Sequence, residues 1–530
     1  MRKNLLTALA LLLISGVSQA EDITIQYNGT TAKVKQTVKD SVSVQVDGSH
    51  VSIQSTFRTH KLTVLMSGKS DDGQLILKTD GKAKVKLKEL NLNSQEGAPL
   101  WLKNKKKVEI TAAKGTDNTL TIAACNDTAN HKAAVIWAKD KVKFSGTGIL
   151  NVLAKGDGCK GIRCKDDITI EELTLNVETT GNNLGEKAHP FGGGFGGFPM
   201  GGHDVPNQQG DSIPHGRFGG FGGPPAFDPN NLSEEDKAHF EEMRKNFEEM
   251  MKNGGGFPMG GFNPHTEGDS IGHHGFRGFG PPPMGDGGGF AKHKYNGTAK
   301  GIKSQGKVIV HSGHVSVTTS SPGAEGIEGK EGVILNGGDV NVLAIDDAIN
   351  ANAAIEFNGA KVVARSITND AVDANLVDFF AGGFGGFFGG GNQEQPSDPA
   401  IIITGGTVYA WSQQGMPEEG LDCDFSPIKI TGGTVFSVGA GMGEMPSVPT
   451  QDTAVQPTAL LIGINIVKDE PILLTDCTGK LIDTFTIPFD LRNSSSIITS
   501  PKFHVSDTYT IKTKDYEKTF TLMQNFTIVR

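Results

Sequence analysis

The sequence predicts an all-β chain: a right-handed parallel β-helix solenoid, interrupted by a long Gly/Phe/His-rich insertion that carries one helix, and ended by a C-terminal β cap. Three observations point there. Apolar and polar residues alternate in VSVQVDGSHVSIQS near residues 42–55 and again from Leu75 to Ser94, the pattern of strands with one buried face. A short unit recurs in the second half: KGIKSQGKVIV (300–310), EGIEGKEGVIL (325–335), DAIN (347–350), DAVDAN (370–375) and EGLDCD (419–424). Long helical periodicity occurs in one place only.

In chain order, Arg2 and Lys3 precede an apolar run from Leu5 to Val17 and the small or polar residues Ser18, Gln19 and Ala20. This is the layout of a secretory signal, too short for a membrane span, with cleavage expected after Ala20 and a secreted or periplasmic destination. No second stretch of 18 apolar residues follows, so no integral membrane segment is expected. N-terminal coils are expected over 21–183, where GAPLWLKNKKKVEIT, KAAVIWAKDKVKFSG and CKGIRCKDDITIEE each read as a corner followed by a strand.

The insertion spans 184–292. Two Gly-, Phe-, Pro- and His-rich copies, starting at Gly197 and Gly256, flank LSEEDKAHFEEMRKNFEEMMKN, for which a helix over 233–252 is expected. Ser233 and Asp236 resemble a capping box, and Phe240, Met243 and Phe247 fall at helical spacing. The flanking copies are too rich in glycine and proline for a regular core, and His203, His215, His265, His273 and His274 lack constrained ligand spacing.

From 293 to 445 the apolar centres Ile302, Ile327, Ile349, Val372 and Leu421 mark successive coils at intervals of 25, 22, 23 and 49 residues, the last containing a Gly/Phe insert from Ala381 to Pro396. A coil this short cannot bury its own apolar face and must stack on its neighbours. Strand-like residues over 446–530 fall out of the repeat and are expected to form a β cap or a small sheet, covering the open end of the stack.

Aligning the centres brings acids into columns. Glu325, Asp347, Asp370 and Glu419 stand before each centre, and Glu328, Asn350, Asp373 and Asp422 follow it by one. Lys330, Asn352, Asn375 and Asp424 follow by three. Stacked coils would set such carboxylates about 4.8 Å apart, where they repel unless a cation intervenes. Calcium meets that need with six to eight oxygen ligands, and without histidine in the columns zinc is disfavoured. The candidate Ca2+ ligands are Asp347, Asp370, Asp373, Asp422 and Asp424, then Glu419, Glu325, Glu328, Asn350 and Asn375.

The run IEGKEGVILNGGDVNVLAIDDAINA, then ITNDAVDAN, then IIITGGTVYAWSQQGMPEEGLDCD, resembles the secreted carbohydrate-binding β-helix proteins related in fold to pectate lyases. The resemblance covers roughly 53–437. It implies calcium held at the Asp-rich corners and an acidic polysaccharide such as polygalacturonate as partner, with cellulose a further ligand. A non-catalytic, monomeric binder is expected. The alternatives are a calcium-dependent polysaccharide lyase, with Lys300, Lys303, Lys330 or Arg365 as base, and a structural surface or adhesion solenoid. Trp101, Trp137, Tyr409 and Trp411 are candidates for stacking on sugars. A net charge of -9 argues against nucleic acid. The cysteines Cys125, Cys159, Cys164, Cys423 and Cys477 are too few for a disulfide scaffold; the spacing of Cys159 and Cys164 allows one local bridge, and the sequence leaves the pairing open.

Overall fold

The computed structural model describes residues 21–95, 97–124, 133–183, 299–376, 398–415, 418–423, 426–439 and 447–530. The expected signal segment, the 233–252 helix and its flanking histidines, the 381–396 insert, Cys125 and Asp424 lie outside them. The described residues are all β, without a helix, and wind as a solenoid of parallel strands.

Each later coil contributes three short strands, for example Lys300–Ser304, Val308–Val310 and His314–Thr319. Each strand pairs in parallel with its counterpart one coil on, so Ile302, Ile327, Ile349 and Val372 fall on one row of partners. These side chains point inward and are fully buried, as are the rows Val308, Val333, Ile355, Ile401, Ile428 and Val315, Val340, Val362, Val408, Val435. Each buried aliphatic side chain contributes about 1.5–3 kcal/mol, and none could be buried by its own coil alone.

Residues 184–298 interrupt the sequence but not the stack, because Lys160–Cys164 pairs directly with Lys300–Ser304. The two ends are closed by reversing the strand direction. Antiparallel hairpins, Ile23–Asn28 with Thr31–Gln36 and Val42–Asp47 with His50–Ser55, sit at the N-terminal end. At the other end Leu491–Thr499 runs antiparallel to Thr434–Gly439, and a four-stranded antiparallel sheet follows from Ile472 to Thr521. Phe485 and Phe489 of this cap share a core with Trp411 and Phe436 of the last coils.

The Gly-Gly pairs visible in the sequence turn the coil. Gly338, Gly406 and Gly433, the second of each pair, have φ of 84°, 81° and 94°. A Cβ on Gly406 would also meet the Ala360 carbonyl oxygen at 2.2 Å. Gly406→Ala is therefore expected to lose at least about 2 kcal/mol in urea unfolding. Gly415→Ala, with φ of 83° but nothing within 4 Å, should lose only about 1 kcal/mol. Equal losses would show that the backbone conformation, not the close approach between coils, sets the cost.

Cys159 and Cys164, whose spacing allowed a local bridge, do not pair with each other, and both side chains are buried. The residues between them form the strand Lys160–Cys164. Extended chain at about 3.3 Å per residue holds the two Cα atoms far beyond the 7 Å limit for a disulfide.

Candidate functional site

The outer face of the sheet that carries Ile302, Ile327, Ile349 and Val372 holds the polar columns. One residue after each inner centre, strand pairing gives a continuous row: Trp101, Trp137, Arg163, Lys303, Glu328, Asn350, Asp373 and Asp422. A second row places Lys160 beside Lys300, followed by Glu325, Asp347, Asp370 and Glu419. Their carbonyls accept the amide N–H of Gly301, Gly326, Ala348 and Ala371 at 2.9–3.3 Å. Both rows thus pass from cations to acids along the stack.

The sign changes at Glu328, which is 1% exposed. Its Oε2 lies 2.8 Å from Lys300 Nζ and 3.3 Å from Lys303 Nζ, and its Oε1 lies 2.6 Å from Lys330 Nζ. Burial opposes ionisation, but these three ammonium groups hold the carboxyl well below the usual carboxylate range. Glu328 is the centre of an ion-pair hub, its carboxylate oxygens facing the ammonium groups of three lysines.

Beyond the hub the two rows continue as acids and asparagine. Oxygens of Glu325, Asp346 and Asp347 lie within 4.8 Å of one another. Glu325 Oε1 accepts from Lys300 Nζ at 2.7 Å, but its Oε2, like Asp347 Oδ1, is buried without a hydrogen-bond partner. Asp347 is 5% exposed, and its carboxyl is pushed far up by burial first, then by Asp346, Asp373 and Glu325. Asp370 is raised by burial, Asp422 and Asp347. Glu418 is pushed up to about 7 by burial, Asp422 and Asp346. Among the described residues no ammonium or guanidinium pairs with Asp346, Asp347 or Asp370.

Amides and a hydroxyl stitch this cluster together. Asn350 Nδ2 donates to Asp347 Oδ2 at 3.0 Å and to Asp373 Oδ2 at 2.9 Å, and Asn375 Nδ2 donates to Asp373 Oδ2 at 2.7 Å. The Glu419 N–H donates to Asp370 Oδ1 at 2.5 Å. Ser447 donates its N–H to Glu419 Oε2 at 2.9 Å and its hydroxyl to Asp422 Oδ1 at 2.8 Å. Of the residues expected at a metal, Glu325, Asp347, Asp370, Asp373, Asp422, Glu419, Asn350 and Asn375 gather here, whereas Glu328 belongs to the hub.

Asp346 and Glu418 were not expected. They sit three residues before their centres, at the corner rather than in the strand columns, and the Asp346-Asp347 doublet was the signal available. The donor set is oxygen throughout, with orphaned buried oxygens, which fits a hard cation such as calcium.

Two other expectations are corrected. Trp411 is not open to sugars: it is 6% exposed and packs edge-on against Phe489 of the cap, while the half-buried Tyr409 packs edge-on against Phe485. Arg365 stacks over Phe489, 5.0 Å from the ring centre, and donates from Nε and Nη2 to Gln413 Oε1. It joins coil to cap.

Residues 47–188 match a family model described as carbohydrate-binding domain-containing protein. A curated carbohydrate-binding domain-containing protein of Acetivibrio thermocellus is 29% identical over 184 residues, 33% of this chain and 63% of the relative. The chain thus spans less than two thirds of that relative's length. Among solved structures, a polysaccharide lyase-like protein from C. thermocellum, determined as a gadolinium derivative, aligns over 64% of this chain and 90% of its own, with 18% identity and a TM-score of 0.37.

Proposed function

We propose that this is a secreted or periplasmic carbohydrate-binding protein built on a right-handed parallel β-helix, which holds calcium at its acidic coils and recognises an acidic or plant cell-wall polysaccharide of the polygalacturonate type. The carbohydrate part is supported by the match over 47–188. The calcium part is carried by Asp347, buried with an orphaned Oδ1 beside Glu325 and Asp346, since a buried charge left unpaired is costly.

Glu325, Asp346 and Asp347 would hold one ion, and Asp370, Asp373, Asp422 and Glu419 extend the oxygen surface along the stack. When bound, calcium supplies a positive potential that can bridge protein carboxylates to uronate carboxylates. The chain's own part is to pre-position oxygens: Asn350 and Asn375 fix Asp347 and Asp373, and Ser447 fixes Glu419 and Asp422. In the lyase alternative a neutral lysine must take a proton. Lys300, Lys303 and Lys330 are instead paired to Glu328, and burial of Lys300 is outweighed by Glu325 and Glu328, which raise its pKa. That favours the binder.

The test is retention of the mature protein on polygalacturonate, with calcium and then with chelator, while following ultraviolet absorbance of unsaturated products. Retention that falls sharply on chelation without new absorbance is the expected result. Rising absorbance would replace the binder with a lyase, and no retention in either condition would reject polysaccharide recognition.

A further inference from the structure

We infer that the N-terminal coils carry a second, metal-free contact for the same polymer: a comb of lysines that pairs directly with the carboxylates of an anionic polysaccharide. This rests on the polysaccharide reading above, but on different residues and a different physical interaction. The position three residues after each inner centre is lysine in four successive coils, Lys78, Lys103, Lys139 and Lys165. Lys78 and Lys103 are strand partners. Lys139 and Lys165 continue the row, their N–H groups donating to Leu102 O at 2.9 Å and Ala138 O at 3.0 Å. In later coils the same position becomes Gln305, Lys330, Asn352 and Asn375, so the comb ends where the acidic cluster begins.

Lys78, Lys139 and Lys165 are exposed and Lys103 is half-buried. Two lysines of these corners are instead neutralised nearby: Lys105 pairs with Asp80 at 2.8 Å, and Lys141 with Asp167 at 2.7 Å. Lys78, Lys139 and Lys165 form no ion pair with any acid of the described residues. Lysines on successive strands, whose backbones lie about 4.8 Å apart, gain nothing from one another, and their natural complement is a chain bearing one anion per repeating unit.

Two tryptophans stiffen the row. Lys103 Nζ sits 3.7 Å from the centre of the Trp101 ring, Trp101 and Trp137 meet edge to face at 6.1 Å, and Lys165 Nζ is 6.0 Å from Trp137. Ammonium groups held over aromatic faces lose less freedom when a partner binds. Trp101 and Trp137 thus position lysines rather than offering open faces to sugars. The whole comb lies within residues 47–188, the segment of the family match, and the acidic cluster lies outside it.

The test uses the full mature chain with all four lysines changed to glutamine (K78Q, K103Q, K139Q, K165Q) and a matched all-arginine variant. Binding to polygalacturonate, to its methyl-esterified neutral counterpart and to single-stranded DNA is measured in chelator over a salt series. Wild type is expected to keep a residual, salt-sensitive affinity for polygalacturonate, the glutamine variant to lose about tenfold of it, and the arginine variant to retain it. The thermal midpoint of the glutamine variant should stay near wild type. Unchanged affinity and salt slope in the glutamine variant, with calcium-dependent retention intact, would overturn the comb and leave the proposed function standing. Equal affinity for DNA would overturn the assigned partner class, and absence of binding with or without calcium would overturn both proposals.

Discussion

Calcium is expected to raise the thermal midpoint of the metal-free protein at pH 7, and Asp347→Asn to stabilise the metal-free form while removing most of that response. Asp347 sits among Asp346, Asp373 and Glu325 with its carboxyl raised by burial and by those charges. A carboxyl whose pKa is higher folded than unfolded favours the fold below the ordinary carboxylate range, and that contribution is lost as pH rises through the folded value. Asp370 and Glu418 act in the same direction. The metal-free protein should therefore lose stability between mildly acidic and neutral pH, and calcium, which replaces the protons, should restore it more at pH 7 than at pH 5. At a calcium concentration about 100 times the dissociation constant the gain is about 2.7 kcal/mol. Scanning calorimetry with calcium and with chelator at both pH values checks this; a midpoint indifferent to calcium at pH 7 would contradict it.

Lys300→Met is expected to cost about 3–5 kcal/mol, because it leaves buried carboxylates facing a lost partner. Lys300 is 5% exposed and reaches Glu325 Oε1 at 2.7 Å and Glu328 Oε2 at 2.8 Å. Adding Glu328→Gln to Lys300→Met should recover part of the loss, since one uncompensated charge then disappears. Urea unfolding of the two single variants and the double variant measures the coupling; additive losses would mean that the hub is not a unit. Glu328 also has the opposite pH sign to Asp347. Its carboxyl is held low in the fold, so its contribution is present above the unfolded pKa and is lost as pH falls towards the folded value.

Much of the solenoid was legible because the inner rows leave a mark that strand pairing must respect. Ile302, Ile327, Ile349 and Val372 are apolar centres in the sequence and neighbours in the stack, so residues at fixed offsets from them had to share columns. The Gly-Gly corners were visible for a similar reason, since their positive φ excludes most other residues.

What the columns could not supply was their environment. Glu328 aligned with acids of later coils, but its partners Lys300 and Lys303 come from the preceding coil and reach it across the coil boundary. Asp346 and Glu418 sit on corners, outside the strand period, and so escaped the alignment. Tyr409 and Trp411 read as sugar platforms because Phe485 and Phe489, which pack on them, lie over 70 residues downstream in a cap without the repeat. The lysine comb was present in the same offset that revealed the acids, but its meaning depends on which lysines are already ion-paired, and that is a property of the fold.

The most direct measurement is a calorimetric titration of calcium into the mature protein, alone and with saturating polygalacturonate, for wild type and Asp347→Asn. Calcium bridging requires reciprocal coupling. Wild type should therefore bind calcium alone and bind it more tightly with the polymer present, while Asp347→Asn should show a weakened response in both. Calcium binding that is absent, or that ignores both the polymer and Asp347, would contradict the calcium bridge.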